Sequence, residues 1–167
     1  VAGFLLANGA LNDSDTLEIR KKLIEKDKVE AIIVLPRELF ITTDISVTLW
    51  ILNQNKKGGK YHDRNLRNRE HEILFMDLRQ WRDNLVKGEN KKKVRLDATQ
   101  IEKAAGIYHT WQCEGTDGKN YEVPELYRSV GIDEIESKGW ALTPSKYIEF
   151  IDHDLDIDYE KEMARIQ

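Results

Sequence analysis

The chain has 167 residues, of which 40% are apolar and 34% charged, with a mean hydropathy of -0.60 and a formal net charge of -4. This length suffices for one hydrophobic core with a small extension and is short for two complete domains. No apolar run approaches the ~18 to 20 residues that span a bilayer, and a single cysteine, Cys113, excludes an internal disulfide and favours the reducing cytoplasm.

Charge is distributed unevenly along the chain. Basic residues are concentrated in segments 56–69 and 87–95, whereas acidic residues dominate after Asp133. Only the middle of the chain can therefore face a polyanion such as DNA. A solvated loop explains the same basic residues equally well. The candidate phosphate contacts are Lys56, Lys57, Lys60, Arg64 and Arg67.

The first elements predict a strand followed by a helix. Residues 3–11 form a continuous apolar run that is interrupted by Asn8 and Gly9, which is typical of a strand buried on both faces inside a sheet. Asp15 and Glu18 approximate a capping box, so a helix should begin there. Its apolar residues lie on one side, and it should end near residue 27 and cover the sheet.

The next elements predict an α/β fold. Residues 29–35 form a second apolar run, which Pro36 ends, so the chain contains a strand-helix-strand unit of the kind that builds parallel sheets. Residues 45–52 predict a third strand, and the short connection before it requires an antiparallel arrangement. Segment 58–70 is predicted to be a loop, and residues 73–78 a further strand at the sheet edge.

The second half of the sequence has a weaker pattern. Asp97 can cap a helix whose apolar stripe extends to Trp111. The later apolar patches are too short for a core of their own, so we expect them to pack along the α/β part or against another chain. We therefore divide the chain into an α/β part, 1–81, and an extension, 82–167. The patches are 123–130, 140–142 and 147–151, and a short final helix is predicted at 159–166.

Two segments carry a resemblance to a known family. In order, the chain reads Glu-Ile-Arg-Lys-Lys-Leu-Ile, Val-Glu-Ala-Ile-Ile-Val-Leu-Pro, Leu-Phe and Leu-Asn-Gln-Asn-Lys, all within residues 3–57. Residues 139–147 read Gly-Trp-Ala-Leu-Thr-Pro-Ser-Lys-Tyr, which is similar to the Leu-(Asn/Thr)-Pro-(Gly/Ser)-Arg-Tyr signature near the end of the same proteins. The chain resembles the modification subunits of type I restriction-modification systems, which are adenine-N6 DNA methyltransferases.

This resemblance implies the fold and the activity of a longer protein. It implies the C-terminal half of a Rossmann-like methyltransferase sheet, followed by a mostly helical or irregular tail that serves subunit assembly. The activity implied is methyl transfer from S-adenosylmethionine to adenine in DNA, with a specificity subunit and a nuclease subunit as partners. The family's glycine-containing cofactor turn and its Asn-Pro-Pro-(Tyr/Phe) motif do not occur in these 167 residues. We expect both motifs before Val1, and we expect the isolated chain to be inactive.

One site residue follows from the resemblance. The aromatic residue in the Leu-Phe step before the antiparallel strands, here Phe40, resembles the residue that stacks on the flipped-out adenine. Segment 36–43 would form the wall of that base pocket. A core aromatic at the end of a strand is the alternative interpretation of Phe40 from its local sequence.

The sequence supports neither a metal site nor a hydrolase. His109 and Cys113 have zinc-ligand spacing but lack a second pair, and the acidic stretch 152–158 lacks the glycine and the final glutamate of a calcium loop.

The alternative function is a non-enzymatic interaction module that docks a partner through aromatic residues of its tail. These residues are Tyr127, Trp140, Tyr147 and Tyr159.

Overall fold

The computed structural model describes residues 1–40, 44–82, 85–87 and 92–151. The helices are α1 (Leu17–Glu25), α2 (Ala98–Gln112) and α3 (Ile132–Ser137). The strands are β1 (Ala2–Ala7), β2 (Val29–Val34), β3 (Val47–Leu52), β4 (Gly59–Tyr61), β5 (Arg64–Leu66), β6 (Glu72–Asp77), β7 (Leu85–Lys87), β8 (Lys92–Val94), β9 (Glu122–Val123) and β10 (Tyr127–Gly131).

Six strands form one mixed sheet in the order β1-β3-β2-β6-β10-β9. Strand β3 lies between β1 and β2 and is antiparallel to both, so β1 and β2 run parallel to each other. The predicted strand-helix-strand unit and the predicted antiparallel third strand are both confirmed. On the other side of β2, strand β6 runs parallel to it, and β10 and β9 complete the sheet in antiparallel orientation.

Helical and irregular segments cover the sheet on both faces. One core contains side chains of α1, α3 and the segment 142–148, including Ile24, Ile135 and Leu142. The other core is centred on Trp111 of α2, which is fully buried. Strand β2 is buried along its whole length because it contributes to both cores. This arrangement is a three-layer α/β fold.

The position of β1 differs from its prediction. The strand was expected inside the sheet, yet it lies at the edge and pairs only with β3 among the described strands. Phe4 and Leu5 are 50% and 52% exposed. A continuous apolar run is typical of a strand with two neighbours and two covered faces. The described residues provide one neighbour only.

Two further predictions about the sheet are wrong. Strand β6 lies inside the sheet and runs parallel to β2, although an edge strand beyond the parallel part was predicted. The reason is that β10, which comes from the second half of the chain, pairs with its other side. Segment 58–70 also contains more than a loop, because β4 and β5 form an antiparallel hairpin in which Tyr61 is paired with Arg64.

The second half of the chain folds back onto the first half. The predicted helix is present as α2, and the Asp97 carboxylate accepts a hydrogen bond from the backbone N–H of Gln100 in a capping box. Tyr147 stacks on Phe75 with ring centroids 4.5 Å apart, so the resemblance segment 139–147 lies against the sheet. The expected packing of the apolar patches along the α/β part is confirmed. The predicted helix 159–166 lies outside the described residues, and the division at residue 81 stays a prediction.

Candidate nucleic-acid interface

Phe40 lies beyond the carboxyl end of β2, as the sequence order requires. Its side chain is half-buried and packs at the margin of the core around Trp111. Two hydrogen bonds join the ends of the connection between β2 and β3. The Leu35 N–H donates to Val47 O at 2.9 Å, and the Ser46 hydroxyl donates to Leu35 O at 2.5 Å. Residues 41–43 of the expected pocket wall lie outside the described residues. Phe40 is therefore partly exposed at the margin of a core, which is compatible with both interpretations of this residue.

Lys56 is a structural residue in this fold. It is 2% exposed, and its ammonium group donates to Asp27 Oδ1 at 2.5 Å, Val29 O at 3.1 Å and Glu72 O at 2.7 Å. Burial lowers the pKa of Lys56, and the hydrogen bond to Asp27 opposes that effect. An ammonium group has three N–H donors, so none is left for a phosphate. This geometry argues against Lys56 as a DNA contact.

Arg67 is also largely occupied inside the protein. Its Nη2 donates to Glu72 Oε2 at 2.7 Å, its Nε donates to Trp111 O at 2.7 Å, and its Nη1 donates to Asn68 O at 3.0 Å. The guanidinium carbon lies 5.2 Å from the centroid of the Trp111 ring. These contacts attach the region of the β4–β5 hairpin to α2. Because they occupy the guanidinium group, they argue against Arg67 as a phosphate contact.

The remaining three candidates are accessible. Lys57 and Lys60 are exposed, and Arg64 is partly exposed; all three lie in or next to the hairpin of β4 and β5. Arg95 of the second basic segment is exposed as well, whereas the side chains of residues 83–93 lie outside the described part. Lys57, Lys60 and Arg64 therefore remain candidates for phosphate contact.

The structure places Phe40 and the basic hairpin at opposite ends of the sheet. Phe40 follows the carboxyl end of β2, and the hairpin follows the carboxyl end of β3, which runs antiparallel to β2. Strands of six residues separate these ends by about 20 Å. The two predicted parts of the interface cannot contact the same nucleotide.

A buried ionic cluster surrounds Glu30 and was not predicted from the sequence. Glu30 is fully buried, and its carboxylate accepts hydrogen bonds from Arg69 Nε at 2.9 Å and from Gln112 Nε2 at 3.2 Å on Oε1. Its Oε2 accepts from Asn53 Nδ2 at 2.7 Å and from the Tyr108 hydroxyl at 2.9 Å. Burial, together with the charge of Glu30, raises the pKa of Tyr108. One signal was present, since Glu30 is the only charged residue in the apolar run 29–35.

The aromatic residues of the tail that were considered for docking lie within the fold where the structure describes them. Tyr147 is 4% exposed, Trp140 packs against the first core, and Tyr127 stacks on Tyr121 with centroids 4.8 Å apart. Tyr159 lies outside the described residues. Tyr147 is therefore buried, and Trp140 and Tyr127 are partly occupied by contacts within the fold.

Neither a metal-binding cluster nor a membrane-spanning helix occurs among the described residues. In the part of the chain that the structure describes, no three side chains of the metal-binding types come together, and the acidic stretch 152–158 lies outside that part. None of the described helices has the length and apolar character needed to cross a membrane.

The fold class is defined by the sheet and by its likeness to a solved structure. The fold is that of a Rossmann-like methyltransferase subunit. The type I restriction-modification system methyltransferase subunit from Streptococcus thermophilus superposes with a TM-score of 0.65 at 21% identity, over 88% of this chain and 26% of that one. At this identity the likeness establishes the fold alone.

The family follows from sequence comparison. The family model described as N-6 DNA Methylase matches residues 1–155, and the chain belongs to that family. The Type I restriction enzyme HindI methylase subunit of Haemophilus influenzae is 36% identical over 86% of this chain, and the MjaIX methylase subunit of Methanocaldococcus jannaschii is 30% identical over 97%. The chain spans only 29% and 27% of the lengths of these two relatives.

Proposed function

We propose that this chain is part of a type I modification subunit that transfers a methyl group from S-adenosylmethionine to the N6 atom of adenine in DNA. The membership in the N-6 DNA methylase family carries this proposal. Two relatives named as type I methylase subunits support it, because the match to each extends over nearly the whole of this chain.

The residues of this chain do not by themselves fit the cofactor. Neither the glycine turn nor the Asn-Pro-Pro-(Tyr/Phe) motif of the family occurs in the sequence. At the carboxyl end of β1, the Asn8 side chain is occupied by a hydrogen bond from Thr48 Oγ1 to its Oδ1, 2.7 Å. We therefore assign cofactor binding and methyl transfer to other parts of a longer protein, and we expect this chain alone to perform neither.

Phe40 is the residue that we assign to the target base. An adenine rotated out of the duplex loses its stacking on neighbouring base pairs, and an aromatic ring can replace that contact at about 1–3 kcal/mol per base. The position of Phe40 beyond the carboxyl end of β2 is suitable, because ligands of open α/β sheets bind outside the carboxyl ends of their parallel strands. Its side chain packs against the core around Trp111 and is only partly buried.

DNA phosphates are the proposed ligands of Lys57, Lys60 and Arg64. Each phosphate that a cation neutralises releases condensed counterions, so the affinity for DNA should fall steeply as salt increases. The separation of these residues from Phe40 means that they would contact phosphates away from the flipped adenine. A specificity subunit would select the DNA sequence, and a nuclease subunit would cleave DNA. These two subunits and the modification subunit would work in the cytoplasm.

The decisive experiment replaces Phe40 in the full-length protein. Phe40→Ala should lower adenine methylation by about 5-fold to 150-fold, because lost stacking of about 1–3 kcal/mol corresponds to that range. Phe40→Trp should retain most of the activity, since it keeps an aromatic face. Methylation is measured as transfer of labelled methyl groups to a DNA duplex.

Phe150→Ala is the matched control, because Phe150 is also partly exposed, at 44%, and belongs to the tail. It should leave methylation unchanged. Full activity of Phe40→Ala would remove this residue from the base pocket, while an equal loss in both variants would point to a general effect on folding.

A further inference from the structure

The turn that leads from β2 to Phe40 contains a residue in an unusual backbone conformation. Arg37 and Glu38 form this turn, which we call the Phe40 turn (residues 36–40), and Glu38 has a φ of 63°. This left-handed conformation suits glycine and is unfavourable for a residue with a long side chain. Non-glycine residues keep such conformations where the surrounding structure fixes them, and they cluster at binding sites. The contacts of Glu38 therefore bear on how Phe40 is presented.

Two hydrogen bonds from the segment after β6 hold Glu38. Arg82 Nη2 donates to Glu38 Oε2 at 2.8 Å, and the Val94 N–H of β8 donates to Glu38 O at 3.1 Å. The ion pair is partly exposed, with 26% of the Glu38 side chain and 43% of the Arg82 side chain accessible, whereas Val94 is buried. Both donors belong to the extension 82–167, so the extension is attached to the chain two positions before Phe40.

The parallel pairing of β2 and β6 brings this segment to the Phe40 turn. Val34 pairs with Asp77, and the Leu78 N–H donates to Val34 O at 2.9 Å. Neighbouring strands lie about 4.8 Å apart, and parallel strands end at the same edge, so the residues after β6 pass beside the turn. Trp81 of this segment packs against the same core as Phe40. A shared core and an ion pair therefore join the segment to the turn.

We propose that Glu38 and Arg82 are positioning residues that hold Phe40 in place for stacking on the target adenine. Neither residue contacts the base, because the ion pair acts on the turn and the turn carries the ring. A turn that is fixed before DNA binds loses less conformational entropy on binding. A displaced ring would stack less well, and displacements of about 1 Å are enough to slow catalysis. The inference rests on the proposed function of Phe40.

Glu38→Gly separates the ion pair from the turn, in the full-length protein assembled with its specificity subunit. The melting temperature should not fall, because glycine adopts a φ of 63° without strain. The kcat of methylation should nevertheless fall about 2-fold to 5-fold, which is the range that corresponds to a partly exposed ion pair. The KM for DNA should change less than about 2-fold, because the proposed phosphate contacts lie at the other end of the sheet.

Arg82 provides the test of the other half of the ion pair. Arg82→Gln should lower kcat as much as Glu38→Gln, and the double variant should lose no more than either single variant, because both remove the same interaction. Arg82→Lys keeps the positive charge, so its kcat should lie above that of Arg82→Gln. Glu25→Gln is the matched control, since Glu25 and Lys21 form another exposed ion pair, with exposures of 48% and 40%. It should leave kcat unchanged.

A fluorescence measurement separates positioning from folding. The target adenine is replaced by 2-aminopurine, whose emission is low when the base is stacked and high when it is unstacked. At saturating protein, the emission per bound duplex should be higher for Phe40→Ala than for the unmodified protein, because the flipped base has lost its aromatic partner. Glu38→Gln and Arg82→Gln should give intermediate values. A residue that served folding alone would leave this emission unchanged.

Three results would overturn the proposal. They are an undiminished kcat in Glu38→Gly and Arg82→Gln, losses that multiply in the double variant, and a lower kcat without a change in 2-aminopurine emission. Phe40→Ala keeps this test apart from the proposed function. A loss in Phe40→Ala with none in the Glu38 and Arg82 variants removes only the positioning role, whereas full activity of Phe40→Ala removes the base-stacking role itself.

Discussion

At the scale of single residues, the basic segment 56–69 contains two groups of residues that differ in their surroundings. Lys56, Arg67 and Arg69 form buried or partly buried ion pairs with Asp27, Glu72 and Glu30. Lys57, Lys60 and Arg64 remain accessible. Residue type and spacing do not distinguish the two groups. The distinction depends on where acidic partners from distant parts of the chain lie in the folded protein.

Glu30 provides a stability prediction at this scale. Glu30→Leu would leave the fully buried Arg69 without its partner, and breaking a buried ion pair in this way costs about 3–5 kcal/mol. We expect a decrease of that size in the free energy of unfolding, measured by urea denaturation at pH 7. The double variant Glu30→Leu with Arg69→Met should recover part of the loss, because no unpaired buried charge remains.

Glu25→Gln is the control for this experiment. The pair of Lys21 and Glu25 is exposed, with side-chain exposures of 40% and 48%, and such pairs contribute about 0–1 kcal/mol. A decrease below about 1 kcal/mol for Glu30→Leu would show that the cluster around Glu30 is dispensable for stability.

At the scale of elements, α2 connects the second half of the chain to the sheet. Its residues Tyr108 and Gln112 bind Glu30 of β2, and the Trp111 Nε1 donates to Ser129 Oγ of β10 at 2.9 Å. The start and the apolar stripe of α2 were predictable because capping and 3.6-residue periodicity are local properties.

The cap of α2 gives a prediction at this scale. Asp97→Ala removes the acceptor for the Gln100 N–H and should lower the free energy of unfolding by about 1 kcal/mol. Asp97→Asn should change stability much less, since asparagine is an equally good capping residue. Urea denaturation of the two variants checks this difference, and equal losses would exclude capping as the cause.

At the scale of the whole molecule, the exposed edge of β1 is the most conspicuous feature. Phe4, Leu5 and Leu6 are 40–52% exposed on a strand that has one partner among the described strands. Unpaired edge strands with apolar side chains tend to pair with other chains. In the longer protein that we propose, further strands and helices would cover this edge.

Self-association of the 167-residue chain is therefore expected. Sedimentation velocity should show dimers or larger species whose fraction rises with protein concentration. Leu5→Lys should reduce that fraction, because a charge on an edge strand opposes pairing with a second edge. Ile45→Lys, at another exposed apolar position (66% exposed), is the control and should leave the association unchanged. A monomer at all concentrations would show that this edge does not pair.

The sequence by itself determined the α/β class, the antiparallel third strand, helix α2 and the family, because these depend on local periodicity, capping residues and the order of short motifs. Only the tertiary structure decided that β6 lies inside the sheet, that β1 lies at its edge, and that Glu30 is buried among four donors. The tertiary structure also places Phe40 and the basic hairpin at opposite ends of the sheet, one strand length apart. Strand neighbours and ion-pair partners come from residues far apart in the chain, and their pairing depends on how the whole chain buries its apolar surface and neutralises its buried charges.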